Sequence, residues 1–149
     1  MNISLHDWLK NGWLIEHQTS PQEIADLLSV ADRDLHNCQT AGLSPDWKLN
    51  IAYNAALQMA TAALAAAGYR AARDAHHYRV IQSLAYTIRA DARLITQFDG
   101  FRKKRNISDY ERAGVVSDQE VKEMVILAGN LRASVIKWLR TSYPKLLQE

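Results

Sequence analysis

The strongest constraint on the fold is an alanine-rich segment in the first half of the chain. Between Ala55 and Ala67, eight of thirteen residues are alanine, the residue with the highest helix propensity. Their small side chains also let a neighbouring helix approach closely. The segment follows Ser44-Pro45-Asp46, which is a helix-start signal, and it ends at Gly68, a residue typical of helix ends. We therefore predict one helix between Ser44 and Gly68, at the centre of a helical protein.

Other segments carry similar helix-start signals. Ser20-Pro21-Gln22-Glu23 and Ser117-Asp118-Gln119-Glu120 each place a serine before a glutamate three residues later, which is the capping-box pattern. Apolar residues at helical spacing follow both. Further helices are predicted from Asp74 to about Ile88 and from Leu94 to about Ile107, with a short one from Ser4 to Asn11. No alternating run of β-branched residues occurs, so no strand is predicted.

These elements predict an all-α protein with a single domain over residues 1–149. The architecture is an up-and-down antiparallel bundle of four to five helices, formed by residues 20–142. Residues 1–19 are predicted to be an N-terminal clasp whose tryptophans pack on the bundle. Connections between the helices are short, which favours packing between helices that are neighbours in sequence.

Composition excludes several classes of protein. The single Cys38 rules out an internal disulfide framework and a cysteine-rich metal site. The N-terminus has no secretory pattern, and no stretch approaches the roughly 18 apolar residues that span a bilayer. We therefore predict a cytoplasmic protein that makes no membrane contact.

Motifs for cofactor or metal chemistry are absent. The six glycines are scattered singly, so there is no phosphate-binding loop, and no cofactor is predicted. His76 and His77 are adjacent, so on a helix they point about 100° apart and do not share a metal easily. No metal site is predicted, and a structural role is the simpler interpretation of this pair.

The unusual feature of the second half of the chain is an apolar helix face whose next position is a charged residue. Leu94, Phe98 and Phe101 recur at steps of four and three, and the next positions of that face are Arg105 and Ser108. An arginine thus occupies a position where a core residue was expected. Either the helix end is solvated and carries cations that suit its dipole, or it directs a guanidinium group into a cleft or towards a partner.

Three stretches, taken in order, resemble the HEPN superfamily of helical domains. They are Asn50-Ile51-Ala52-Tyr53-Asn54-Ala55-Ala56-Leu57 running to Gly68-Tyr69-Arg70, then Ala75-His76-His77, then Phe101-Arg102-Lys103-Lys104-Arg105-Asn106-Ile107-Ser108-Asp109-Tyr110 before a capped helix. The resemblance implies a helical bundle, frequent homodimers and, in many members, metal-independent RNA cleavage. Such members are often toxins or defence proteins, and some act with a small nucleotidyltransferase or another antitoxin partner.

The chain departs from the catalytic signature of active HEPN members, an arginine followed after four to six residues by histidine. Arg105 and Asn106 match its first part, but the histidine positions hold Tyr110, Glu111 and Arg112. Tyrosine, with an ordinary pKa near 10, is a poor proton acceptor at neutral pH. The resemblance therefore implies a binding surface with little or no nuclease activity. Its binding residues are Arg102, Arg105, Asn106, Asp109 and Tyr110, and the catalytic candidates are Arg105 and Tyr110.

Three functions remain open from the sequence. The first is a weakly active or non-catalytic domain that binds a nucleotide, an RNA or a protein partner. The second is a metal-independent endoribonuclease in which Tyr110 acts as an acid, or in which His76 or His77 reaches the site from another helix or a second subunit. The third is a structural assembly module in which Arg105 pairs with Asp109 one turn further on, or with a carboxylate of a partner.

Overall fold

A computed structural model gives the fold. It describes the backbone of residues 4–110 and 115–147, and the side chains of these residues except 106–110. This part of the chain forms six α-helices, one pair of short antiparallel strands and a final 3₁₀ turn, Pro144–Leu146. In order these are α1 (Leu5–Lys10), β1 (Leu14–Glu16), α2 (Pro21–Asn37), α3 (Pro45–Ala66), β2 (Tyr69–Ala71), α4 (His76–Ser83), α5 (Ala92–Tyr110) and α6 (Asp118–Ser142).

The predicted serine caps start the long helices α2, α3 and α6. The hydroxyl groups of Ser20, Ser44 and Ser117 each accept a hydrogen bond from the backbone N–H three residues later. At Ser117 the box is complete, because the Glu120 carboxylate also accepts from the Ser117 N–H at 2.9 Å. At Ser20 the predicted box is wrong. The Glu23 carboxylate turns instead to the Thr19 hydroxyl, 2.6 Å away.

Helix α3 is the central helix, as its alanine content predicted. It packs against α2 and α6 along its length and also contacts α4, α5 and β2. Burial extends over most of its circumference, from Leu49 and Tyr53 near the start to Leu64 near the end, and leaves one partly exposed stripe that includes Asn54 and Thr61. The packing of α6 on α3 joins elements that are far apart in sequence, so it was not among the neighbours that short connections predicted.

Contacts along the helices show their relative directions. Asp34 in α2 accepts a hydrogen bond from Asn54 of α3 at 2.6 Å, while Leu27 of α2 lines the same cavity as Leu64 of α3. Helices α2 and α3 therefore run antiparallel. None of the described helices has the length and apolar character needed to cross a membrane.

The expectation that no strand forms is wrong. Strands β1 and β2 pair in an antiparallel register that places Leu14 opposite Ala71. The backbone bond from Ala72 N–H to Trp13 C=O, at 2.9 Å, extends the pairing. Trp8 of α1 is buried, and the rings of Trp13 and Tyr86 meet it edge to face. With only three residues in each strand, the pairing depends on this surrounding contact and leaves no periodic pattern in the sequence.

The third predicted helix is shorter than expected and starts differently. Helix α4 ends at Ser83, and its N-cap is Ala75 rather than Asp74. Ala75 has the left-handed conformation, with φ of 52°, and makes no side-chain cap. A turn follows α4, and Arg89 near its end is also left-handed, with φ of 58°. The predicted break before α5 is therefore confirmed.

Candidate functional site

Arg105 lies on the buried side of α5, as the apolar stripe predicted. Phe98 and Phe101 of the same face are buried in the core, and Arg105 is half-buried one turn further along. Its guanidinium carbon lies 5.3 Å from the centre of the Tyr53 ring in α3. A solvated helix end would not bring the guanidinium group against a buried ring. This contact argues against the solvated helix end, whereas a role of Arg105 towards a cleft or a partner stays a prediction.

His77 reaches the same ring from a third helix. Its Nδ1 atom lies 3.4 Å from the Tyr53 hydroxyl oxygen, and the two ring centres are 6.1 Å apart. Phe98 holds Tyr53 from the side of α5 with an edge-to-face contact at 5.6 Å. Tyr53 thus joins α3, α4 and α5, and it brings together an imidazole and a guanidinium group that are 28 positions apart in sequence. We call Tyr53, His77 and Arg105 the Tyr53 cluster.

The environment of the Tyr53 cluster keeps Tyr53 and His77 neutral near pH 7. Burial raises the pKa of Tyr53 to about 12, against a smaller opposing effect of Arg105. Burial also lowers the pKa of His77, and the charge of Arg105 lowers it further. The ordinary pKa of histidine is near 6.5, so His77 is a neutral imidazole at neutral pH. A neutral imidazole accepts a proton, whereas the phenol of Tyr53 keeps its own.

Three further cations near Arg105, namely Arg102, Lys103 and Lys104, lie beside carboxylates. Asp99 accepts a hydrogen bond from Arg102 Nε at 2.7 Å and lies 3.7 Å from Lys103 Nζ. Lys104 instead faces α6, with its Nζ atom 3.3 Å from Glu120. The basic run is therefore not one uniform patch. Arg102 also contacts Tyr78 of α4, since its guanidinium carbon lies 5.6 Å from the centre of that ring.

Two of the five predicted binding residues, Arg102 and Arg105, have described side chains, and both lie in or beside the Tyr53 cluster. Asn106, Asp109 and Tyr110 belong to α5 by their backbone, but their side chains lie outside the described residues. The proposed catalytic role of Tyr110 and the proposed Arg105–Asp109 pair therefore stay predictions.

Sequence reasoning did not identify Tyr53, Asp99 or Tyr78 as members of this region. Tyr53 is a hydroxyl-bearing aromatic residue next to an alanine-rich segment. Because a buried tyrosine hydroxyl usually has a hydrogen-bond partner, this residue could have indicated a polar contact inside the bundle. Asp99 precedes Arg102 by three residues and Lys103 by four, the spacing of ion pairs on a helix. Nothing local indicates that His77 lies near Arg105, because that proximity depends on how α4 packs against α5.

The chemistry available here is anion binding and proton transfer. Guanidinium groups donate hydrogen bonds to phosphate or carboxylate oxygens, and the neutral His77 can accept a proton. Within the described part of the chain, no three His, Cys, Asp or Glu side chains come together as a metal site. An anionic ligand is thus the simplest match to the residues at this site.

No protein-family model matches this chain, and no curated protein or solved structure is significantly similar to it. The resemblance to HEPN domains consequently rests on the quoted motifs, and the argument for function rests on the Tyr53 cluster itself.

Proposed function

We propose that this protein is a HEPN-like domain that binds RNA through a backbone phosphate at the Tyr53 cluster. The observation that supports the proposal is that Arg105 and His77 both contact Tyr53. The guanidinium carbon of Arg105 lies 5.3 Å from the ring centre, and Nδ1 of His77 lies 3.4 Å from the hydroxyl oxygen. Arg105 supplies a delocalised cation that suits a phosphate. In the proposed complex, His77 would contact the 2′-hydroxyl side of the same nucleotide.

The HEPN-like, up-and-down order of the helices is part of this proposal. Antiparallel packing of α2 on α3 supports it. So does the cleft that Ala67 at the end of α3 shares with Ser142 of α6, since this places the C-terminal ends of those two helices at one end of the molecule. Helices α3 and α6 are the second and fourth long helices, which point the same way in an up-and-down arrangement.

The number of cations available for phosphate contact is small. Arg102 and Arg105 lie against the rings of Tyr78 and Tyr53, so the proposal counts these two side chains as the contacts with an RNA backbone. Each phosphate contact on a single strand contributes about 0.7 to the slope of log affinity against log salt. Two contacts therefore predict a slope of about −1.4, much shallower than for a broad basic surface.

Fluorescence anisotropy with a labelled single-stranded RNA tests this proposal at several salt concentrations. We expect Arg105→Gln to weaken binding and to reduce the slope to about −0.7. Arg93→Gln is the matched control, because Arg93 is exposed on the same helix and lies twelve residues, about 18 Å, from Arg105. Equal affinity and slope for Arg105→Gln and wild type would contradict the proposal.

A second candidate function, metal-independent RNA cleavage, is favoured by the lowered pKa of His77. In the tautomer with its proton on Nδ1, His77 can donate to the Tyr53 hydroxyl and present the lone pair of Nε2. The base would take the proton of the RNA 2′-hydroxyl, whose oxygen then attacks phosphorus. The P–O5′ bond breaks, the departing oxygen takes a proton from a solvent water, and a 2′,3′-cyclic phosphate remains. Arg105 would stabilise the charge on the phosphate oxygens.

Cleavage of end-labelled RNA in EDTA by stoichiometric protein tests this candidate. If His77 is the base, His77→Gln lowers the rate by about 10²- to 10⁴-fold, while Tyr110→Phe leaves it unchanged. A rate lowered in Tyr110→Phe but unchanged in His77→Gln would instead assign the catalytic role to Tyr110. Intact RNA with wild-type protein that still binds would reject cleavage and leave the binding proposal standing.

The resemblance also supports a toxin–antitoxin or defence role, with a homodimer and a small nucleotidyltransferase or other antitoxin as partners. These proposals are separate from the RNA site. Light scattering across a concentration series checks the dimer, and Arg105→Ala in that assay tests the assembly function. A concentration-dependent loss of mass only in the variant would favour Arg105 as an assembly residue over Arg105 as an RNA contact.

A further inference from the structure

We propose that Tyr78 is a stacking platform for an unpaired base, so that the RNA bound at the Tyr53 cluster is single-stranded. This inference rests on the proposed function and names its substrate class. Tyr78 follows His77 directly in α4, and its side chain is 39% exposed. It is one of four large apolar side chains left exposed among the described residues, which are Ile15, Trp47, Tyr78 and Ile126.

Two guanidinium groups lie within 6 Å of the centre of the Tyr78 ring. The guanidinium carbons of Arg102 and Arg79 lie 5.6 Å and 5.8 Å from the ring centre. Direct stacking brings the two groups considerably closer, as where Arg79 lies 3.7 Å from the centre of the Trp13 ring. Since neither group stacks closely and Tyr78 is 39% exposed, the residue keeps open area for a further planar group, beside cations suited to the phosphate of the same nucleotide.

The supports of this platform are fixed by contacts of their own. Asp99 holds Arg102 through the 2.7 Å hydrogen bond, and Trp13 holds Arg79 through the cation–π contact. An exposed aromatic ring near two fixed cations is not needed to complete the core. It is an arrangement that single-strand binding proteins use, in which bases stack on aromatic rings while basic side chains follow the backbone.

Stacking on Tyr78 selects for single strands because the faces of paired bases are already covered by their neighbours in a duplex. The gain from stacking one base on an aromatic side chain corresponds to roughly a 5- to 150-fold change in affinity on alanine substitution. Phosphate contacts do not distinguish the two forms in this way. The proposal therefore predicts that Tyr78 determines strand preference, whereas Arg105 supplies affinity for both.

The test compares three labelled RNAs in anisotropy titrations: a single-stranded 12-mer, a hairpin duplex, and the same 12-mer with abasic positions in turn. Tyr78→Ala should lose roughly 5- to 150-fold affinity for the single strand and little for the duplex. Tyr78→Trp should retain preference for the single strand, since it keeps a stacking face. At least one abasic position should weaken the wild type but not Tyr78→Ala.

Tyr143→Ala is the matched control, the same substitution at a half-buried tyrosine. Tyr143 lines a cleft with Ala67, which is fourteen residues from Tyr53, or about 21 Å along α3. Circular dichroism confirms that each variant keeps its helices. Unchanged single-strand affinity in Tyr78→Ala, together with a loss in Arg105→Gln, overturns the inference and keeps the proposed function. Absence of RNA binding by the wild type overturns both.

Discussion

The left-handed residue that begins α4 gives a stability prediction whose sign is unusual. Ala75 is exposed, has φ of 52° and ψ of 37°, and makes no side-chain cap. Replacing it with glycine removes one exposed methyl group, so almost no burial is lost. In most positions this change destabilises a protein, but here we expect Ala75→Gly to raise the free energy of unfolding.

The magnitude follows from two opposing effects. A left-handed conformation costs an L-residue about 1–2 kcal/mol relative to glycine. Glycine increases the conformational entropy of the unfolded chain, which offsets about 0.4–1 kcal/mol of that gain. The net expectation is a stabilisation of about 1 kcal/mol, or about 2–4 °C in melting temperature for a chain of this length.

Ala133→Gly is the matched control, because Ala133 is exposed within α6 and has ordinary helical geometry. The same atoms are removed there, yet glycine in a helix interior is about 0.8–1.0 kcal/mol less favourable than alanine. Urea unfolding of the wild type and both variants should thus separate the two by about 2 kcal/mol. If Ala75→Gly is destabilised as much as Ala133→Gly, the left-handed start of α4 is refuted.

Two further predictions concern pH and the pairing of α2 with α6. Burial and Arg105 lower the pKa of His77, so on acidification the unfolded chain takes up this proton at a higher pH than the folded chain. His77 should therefore reduce stability as pH falls through about 6.5. Unfolding midpoints between about pH 8 and pH 5 should vary less in His77→Gln than in the wild type, and equal slopes would contradict this. Asp32 accepts two hydrogen bonds from Arg132, at 2.5 Å and 3.1 Å. Both side chains are partly exposed, so a double-mutant cycle with Asp32→Asn and Arg132→Gln should give only about 0.2–1 kcal/mol of coupling, and a value several times larger would mean that the pair is effectively desolvated.

Local signals in the sequence were sufficient for the long helices. Ser44 with Pro45 and the alanines before Gly68 act within a few residues of the positions that they determine, so α3 could be predicted without any tertiary contact. The strand pair could not. Leu14 and Ala71 are 57 positions apart, and their short strands are held by packing around Trp8, which no local pattern reports.

The same distinction applies to the site. The step from Phe98 and Phe101 to Arg105 lies within one helix, so its placement on the buried face was predictable. His77 was considered mainly with its neighbour His76, where the 100° separation on a helix argues against a shared metal. Its relation to Arg105 depends on Tyr53, which belongs to neither helix. A motif divided among three helices has no fixed spacing, and only packing brings its parts together.

Tyr53 links the stability of the core to the chemistry of the site. Its ring is buried against Phe98, while its hydroxyl lies beside His77. With a pKa of about 12, this phenol does not ionise near neutral pH and is not the proton acceptor. It is better suited to orient the imidazole, so that in the proposed RNA complex a phosphate at Arg105 would meet a base in a defined position. A base on α4 would occupy the role that the HEPN signature gives to a histidine near the end of α5, and Tyr110 would then be free to differ without loss of the chemistry.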